Sequence, residues 1–309
     1  GDTGMQTGRE SVGHTVGFEL FDQVDVEELA RNAANRAITK LAARPAPSGQ
    51  MTVVIGSGGG GVMFHEACGH GLEADLVAKG ASVFANRIGE QVASPLVTLV
   101  DDGTMGGEWG CFAIDDEGRP AQRNVLIQDG ILVDYMWDGL RARKEGRASS
   151  GNGRRQSYQH LPMVRMTNTY LLGGEGDKDS IVADTESGVY IAHLGGGQVN
   201  TATGDFVFGM TEAYLIENGK LGAPIKGATL IGNGPDVLTR VSMVGMCERI
   251  SCSWWPTRGP PWNARTATSE TRPSANSMLR PKINPPSSPS LNTSTANTCE
   301  PLPSNHVTS

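Results

Sequence analysis

Long apolar runs are missing from this 309-residue chain: the longest, around Met51–Ile55 and Ile181–Ala183, fall far short of the roughly 20 residues a membrane-crossing helix needs. No membrane partner is therefore expected. A basic excess is missing too. The formal net charge is −7 and the isoelectric point near 5.4, which leaves no positive stripe for a phosphate backbone, and an aromatic content of 6% is too low for base-stacking platforms. Nucleic acid is excluded as the main partner. The five cysteines are odd in number and include no CxxC pair, so they make no disulfide framework, and a reducing cytoplasm is the expected home. The opening GDTGMQTGRE has no initiator Met, basic n-region or apolar h-region. No secretory leader is expected, and the chain reads as though it starts inside a longer protein.

Glycine fails abruptly. Of the 41 glycines, 40 lie at or before Gly245, whereas residues 246–309 hold 10 of the 17 prolines, three of the five tryptophans and dense Ser and Thr, as in NPPSSPSLNTSTANT. With little Leu, Val or Ile and no apolar period, that stretch cannot bury enough surface to offset its ordering entropy. The expected division is residues 1–245 as the folded unit and 246–309 as a disordered Pro/Ser/Thr-rich tail. That tail is either a natural linker or a stretch translated out of frame.

What is present ahead of Gly245 is alternation. VGHTVGFELFD reads as a strand, VDVEELARNAANRAITKLAAR has apolar residues at helical spacing with Asp25 placed as an N-cap, and MTVVIGS reads as a second strand. Gly58 to Gly61 then lead into VMFHEACGHG, compact enough for a short helix closed by Gly69 and Gly71. Downstream, LVTLVDDG, NVLIQDGILVDYMW, VRMTNTYLLGG, GVYIAHLGGG, DFVFGMTEAYLIENGKLGAP and KGATLIG are short extended runs punctuated by Gly, Asp-Gly and Asn-Gly, the signals of hairpins. The pattern predicts an α+β fold in which the HEACGH helix packs on a mostly antiparallel β-sheet.

HEACGH supplies two imidazoles and a carboxylate: His65, Glu66 and His70. Neutral imidazole is a common zinc ligand, and a neighbouring Glu can take a proton from water activated by the metal. Ligand histidines on a regular helix stand at i and i+4, about 40° apart, whereas His65 and His70 stand at i and i+5, about 140° apart. Both rings reach one cation only where the helix distorts or ends between them, through a π-bulge or a glycine-terminated last turn. Gly69 and Gly71 sit where that can occur. The alternative is a pair of buried or capping histidines. Just upstream, Gly56, Gly58 and Gly61 satisfy G-x-G-x-x-G after a strand and before a helix, where a dinucleotide pyrophosphate could rest. Hairpins rather than βαβ units follow, so close backbone approach or a flexible entry to the motif helix is the other account of those glycines.

HEACGHGLEAD, SPLVTLVDDGT and SYQHLPMVRMTNTYLLGG occur in that order, and from about Gly8 to about Gly245 the chain resembles the TldD/PmbA family of metallopeptidases. The resemblance implies a cytosolic zinc peptidase that degrades or trims unfolded peptides, working as a homodimer or as a heterodimer with a PmbA-like paralogue. The HExxxH pattern places the chain on the metal-binding TldD side and implies His65 and His70 as metal ligands and Glu66 as general base. Family members carry a further N-terminal domain, and they continue past the equivalent of RVSMVG into a glycine-rich segment whose Cys is the third ligand. Here the text becomes MCERISCSWWP, so Cys247 and Cys252 are not carried over as ligands. The competing expectation is a non-catalytic fragment or partner subunit with an incomplete metal site.

Around the motif, His160, Arg165 and Asn168 are polar residues on a strand-like run that could face a substrate channel or satisfy surface turns, and His193 precedes LGGGQ on another strand. Asp101 and Asp102 most simply make an Asp-Gly turn. RARKEGRASSGNGRR reads as a mobile solvated loop that could cover the site, and Cys68 as a small buried residue.

Overall fold

A computed structural model describes residue 1, residues 4–246 and two short strands, Thr266–Thr268 and Lys282–Asn284. The rest of the expected tail, with Cys247 and Cys252, lies outside the described residues. The sequence forms a mixed α/β architecture with several sheets.

Helix α1 (Val26–Leu41) starts where Asp25 Oδ1 accepts the Glu28 N–H at 3.0 Å, as the N-cap reading expects. Glu27 and Glu28 in its first turn and Lys40 in its last complement the helix dipole. The segment ahead of α1 is not the expected strand. Thr15 donates its N–H to Gly107 O at 3.0 Å and its hydroxyl to Glu108 O at 2.9 Å, and a single helical turn, Leu20–Gln23, follows. Strand-forming residue types are spent here on pairing with a loop, since β propensity needs a neighbouring strand to act through.

Strand β1 (Val53–Ile55) is buried throughout and runs directly into helix α2 (Ser57–Phe64). Four strands then form one antiparallel sheet: β2 (Leu99–Asp102) sits between β3 (Arg123–Gln128) and β5 (Thr169–Leu171), with β4 (Ile131–Leu132) outside β3. The β3–β4 turn is Asp129-Gly130, both at positive φ, as a tight hairpin requires. The larger sheet is built on β6 (Ser187–Val199), β7 (Asp205–Glu217), β8 (Lys220–Lys226) and β9 (Thr229–Asn233), with Asn218-Gly219 as the second positive-φ turn. Its pairings are mostly antiparallel, but β1 joins β6 in parallel, because the chain returns to that edge only after crossing the smaller sheet. Thr266–Thr268 covers the other side of β1 and Lys282–Asn284 extends β9. After β9, helix α3 (Gly234–Thr239) turns back toward the motif.

One apolar core joins the two sheets through Ile55, Phe64, Leu99, Ile127, Met136, Ile191 and Phe208, each buried. Such side chains contribute roughly 1.5–3 kcal/mol apiece on burial. Ala67, Cys68 and Leu72 of the motif segment belong to this core, so the motif turn is anchored by packing on the side away from its histidines. No helix among the described residues is long and apolar enough to cross a membrane.

Candidate metal centre

At Phe64 the α-helix gives way to a π-turn, His65–Gly69, followed by a 3₁₀ turn, His70–Leu72. The His70 N–H donates to His65 O, an i to i+5 bond. This wider turn resolves the spacing problem by stacking position 70 over position 65. The two rings meet edge to face with centroids 4.7 Å apart. One potential ligand atom from each of His65, Glu66 and His70 lies within 4.8 Å of the others. The glycines have specific work in this segment. A Cβ on Gly69 would stand 2.3 Å from Met166 Sδ, and one on Gly234, at the start of α3, 2.1 Å from Ala67 O. The turn is thus wedged between Met166 and α3. The tract holding Gly56, Gly58 and Gly61 is the cap and body of α2 itself, not a loop ahead of it.

The charges around the triad differ from member to member. Burial, then the neighbouring His70, brings the His65 pKa down to about 4, so its imidazole is neutral at ordinary pH. Its Nδ1 is buried with no hydrogen-bond partner among the described residues. Burial and the carboxylate of Glu73 push Glu66 upward against the pull of His70. For His70, burial acts downward, but its hydrogen bond to Glu73 and the charges of Glu73 and Glu66 outweigh it. His70 Nε2 stands 3.9 Å from Glu66 Oε2, while its Nδ1 faces Glu73 Oε1 at 3.3 Å.

The donor set fits a divalent transition cation. Two imidazoles and a carboxylate are zinc-type ligands, and an orphaned buried nitrogen costs free energy unless something such as a cation engages it. Cys68 takes no part: it is fully buried and its thiol donates to Phe64 O at 3.1 Å.

The remaining sequence candidates separate. Arg165 reaches the site indirectly, with Nη1 3.1 Å from Glu73 Oε2. His160 bonds Ser157 Oγ at 2.8 Å on an exposed loop with Tyr158 and Leu161. Asn168 is buried, its amide accepting from Gly110 N–H and donating to Asp102 O, both at 2.9 Å, so it braces a loop. His193 sits with Arg36 and Glu212 beneath α1. Asp102 makes the expected turn, accepting from Thr104. Asp101 does not: it is fully buried and accepts from Thr167 N–H and hydroxyl, both at 2.8 Å, and from Asn152 and Thr169, both at 2.7 Å. Of the basic stretch, Arg141 to Lys144 lie in a capped helix, Gly139–Lys144, and Arg147 lies over the Trp137 ring. Glu73 was not among the sequence candidates. Its position three residues after His70 was the available signal.

The model of the PmbA/TldA metallopeptidase C-terminal domain matches residues 48–272, and the TldD homolog metalloprotease of Haemophilus influenzae is 53% identical over 228 residues, 74% of this chain and 47% of that protein. The chain belongs to the TldD/PmbA family. The matched segment contains the whole candidate centre and runs beyond Gly245. A more distant TldD relative, a zinc metalloprotease TldD homolog of Saccharolobus solfataricus, is 27% identical over 239 residues, 74% of this chain and 53% of that protein. In fold the chain is similar to TldE from Thermococcus kodakarensis, with a TM-score of 0.66 at 22% identity, covering 80% of this chain and 56% of the other. The chain spans about half the length of the curated relatives it matches.

Proposed function

We propose that this chain carries the metal-binding core of a zinc-dependent peptidase acting on unfolded peptides, with His65 and His70 as the ligands it supplies and Glu66 as general base. The observation that carries this reading is the convergence of both imidazoles and the Glu66 carboxylate on one locus beside the orphaned His65 Nδ1. Zinc held there supplies Lewis acidity toward water and a peptide carbonyl. Glu66 then has the proton work: its carboxylate accepts the proton of the attacking water and returns it to the departing amine. The upward displacement of its pKa by burial suits a group that must both take and give a proton near neutrality. A third ligand would come from a cysteine of the glycine-rich segment that family members carry after the equivalent of Gly245. The unit proposed to fold is residues 1–245, in a cytoplasmic homodimer or with a PmbA-like paralogue.

One observation favours a second reading. Where the resemblance implies a glycine-rich segment with a cysteine ligand, this sequence reads MCERISCSWWP, which fits a non-catalytic partner subunit. Zinc content and cleavage of an unstructured peptide, measured on the chain and on Glu66→Gln, decide between them. The peptidase reading expects zinc retained in both and cleavage reduced at least ~100-fold in the variant. No zinc and no turnover in either supports the partner reading.

A further inference from the structure

We propose that Glu73 is a positioning residue for His70, and that it is held in that role by Arg165 through a chain of hydrogen bonds reaching into the smaller sheet. The proposal rests on the metal-centre reading above. A carboxylate only accepts hydrogen bonds, so the contact of His70 Nδ1 with Glu73 Oε1 puts the ring proton on Nδ1 and leaves the lone pair on Nε2, the nitrogen that faces Glu66. Such a carboxylate–histidine contact fixes both the tautomer and the ring plane of a ligand.

The backbone of Glu73 is fixed independently of its side chain. It is the N-cap of the short helix Ala74–Ala78, yet its carboxylate makes no capping bond and turns toward His70 instead. Ala74 N–H donates to Met136 O at 3.0 Å and Met136 N–H to Leu72 O at 2.9 Å, which clamps the segment on either side of Glu73. The side chain is 1% exposed, and a buried carboxylate needs a partner for its second oxygen. Arg165 provides it at 3.1 Å. Arg165 is itself gripped from both peptide groups: its N–H donates to Asn152 O at 3.0 Å, and its carbonyl accepts from Asn152 Nδ2, also at 3.0 Å. Asn152 Nδ2 in turn donates to Asp101 Oδ2 at 2.7 Å. The buried Asp101, which the peptidase chemistry does not use, is the far anchor of a relay running through Asn152, Arg165 and Glu73 to His70.

The test is zinc affinity of the full chain, by competition with a chromophoric chelator, for the unaltered protein, Glu73→Gln and Arg165→Met. Removing such a contact lowers metal affinity by about 10- to 100-fold. Expected is that loss in Glu73→Gln and a smaller one in Arg165→Met, with cleavage by Glu73→Gln restored at saturating zinc. Unaltered zinc affinity in Glu73→Gln overturns the proposal while leaving the peptidase reading intact. Long-range ¹⁵N–¹H correlation of the His70 ring in the unaltered, metal-free chain decides the matter even where a variant fails to fold or no zinc is taken up. A proton on Nδ1 supports the relay, and one on Nε2 alone overturns it.

Discussion

The backbone N–H of His70 donates to the carbonyl of His65, five residues back, and their rings consequently lie 4.7 Å apart on one face of the turn. An ordinary α-helical turn at this point would send the two imidazoles to different sides, so the π-turn and the candidate metal centre are one feature. Inserting an alanine after Ala67 is expected to break the centre. Zinc uptake should fall to the level of a His65→Ala variant, read by metal analysis of the purified protein.

Gly234 approaches that turn so closely that a methyl group would meet the Ala67 carbonyl at 2.1 Å. A backbone atom cannot swing aside as a side chain can. Gly234→Ala is expected to cost about 1–3 kcal/mol in denaturant unfolding, the usual range for overpacking, and to weaken zinc retention because relief requires moving the π-turn. A variant as stable and as metal-competent as the parent would show that the contact is not tight in solution.

Zinc that binds only the folded chain must stabilise it. At a free concentration 100 times the dissociation constant the gain is about 2.7 kcal/mol, so the unfolding midpoint should rise on adding zinc and fall again with a chelator. His65→Ala and His70→Ala should abolish the rise. A zinc-induced shift that survives both substitutions would locate the binding elsewhere.

Asp101 accepts four hydrogen bonds with no exposure to solvent. Its replacement by Ala strands donors from Asn152, Thr167 and Thr169, each buried unsatisfied group costing about 1–3 kcal/mol. Asp101→Ala is therefore expected to lose at least ~3 kcal/mol in equilibrium unfolding, far more than an exposed Asp such as Asp22.

Arg36 ties α1 to the larger sheet. Its guanidinium pairs with Glu10, with Glu212 at 2.7 Å and with His193 Nε2 at 2.9 Å, and Tyr214 donates to Glu212 at 2.7 Å. Burial, then the Arg36 charge, lowers the His193 pKa against the pull of Glu212 and Glu10. The folded state therefore binds this proton more weakly than the unfolded chain, whose imidazoles titrate near ~6.5. Stability rises with pH between the two values and is lost as pH falls below that point. Burial opposes ionisation of Glu212, but Arg36, Tyr214 and His193 bring its pKa down overall, so its contribution also fades on stronger acidification. Protection factors of α1 amides, corrected for intrinsic exchange, should fall below about pH 6.5, and His193→Gln should flatten that dependence.

Features resting on neighbours in sequence were legible beforehand. Asp25 as a cap, Asp129-Gly130 and Asn218-Gly219 as turns, and the need for a distorted helix between His65 and His70 all follow from chemistry within a few residues. What escaped was set by distant partners. Asp101 next to Asp102 and Gly103 looks like a turn until Asn152, Thr167 and Thr169 are brought around it. Glu73 looks like a helix-start carboxylate until Arg165 arrives from 92 residues away. VGHTVGFELFD has strand composition, yet its Thr15 bonds the 107–109 loop instead of a strand.

Strand β1, which carries the motif helix at its end, pairs along β6, more than a hundred residues later in the chain, and β6 is in turn held by β7. Contacts of such long separation form late, since the intervening loop must close first. During synthesis the HEACGH segment leaves the ribosome well before the strands that support it, and domains acquire their packing as units. On that order the turn that sets His70 beside His65 gains its packing only when the later hairpins are complete, so a cation taken up at the candidate centre is expected to bind late in folding.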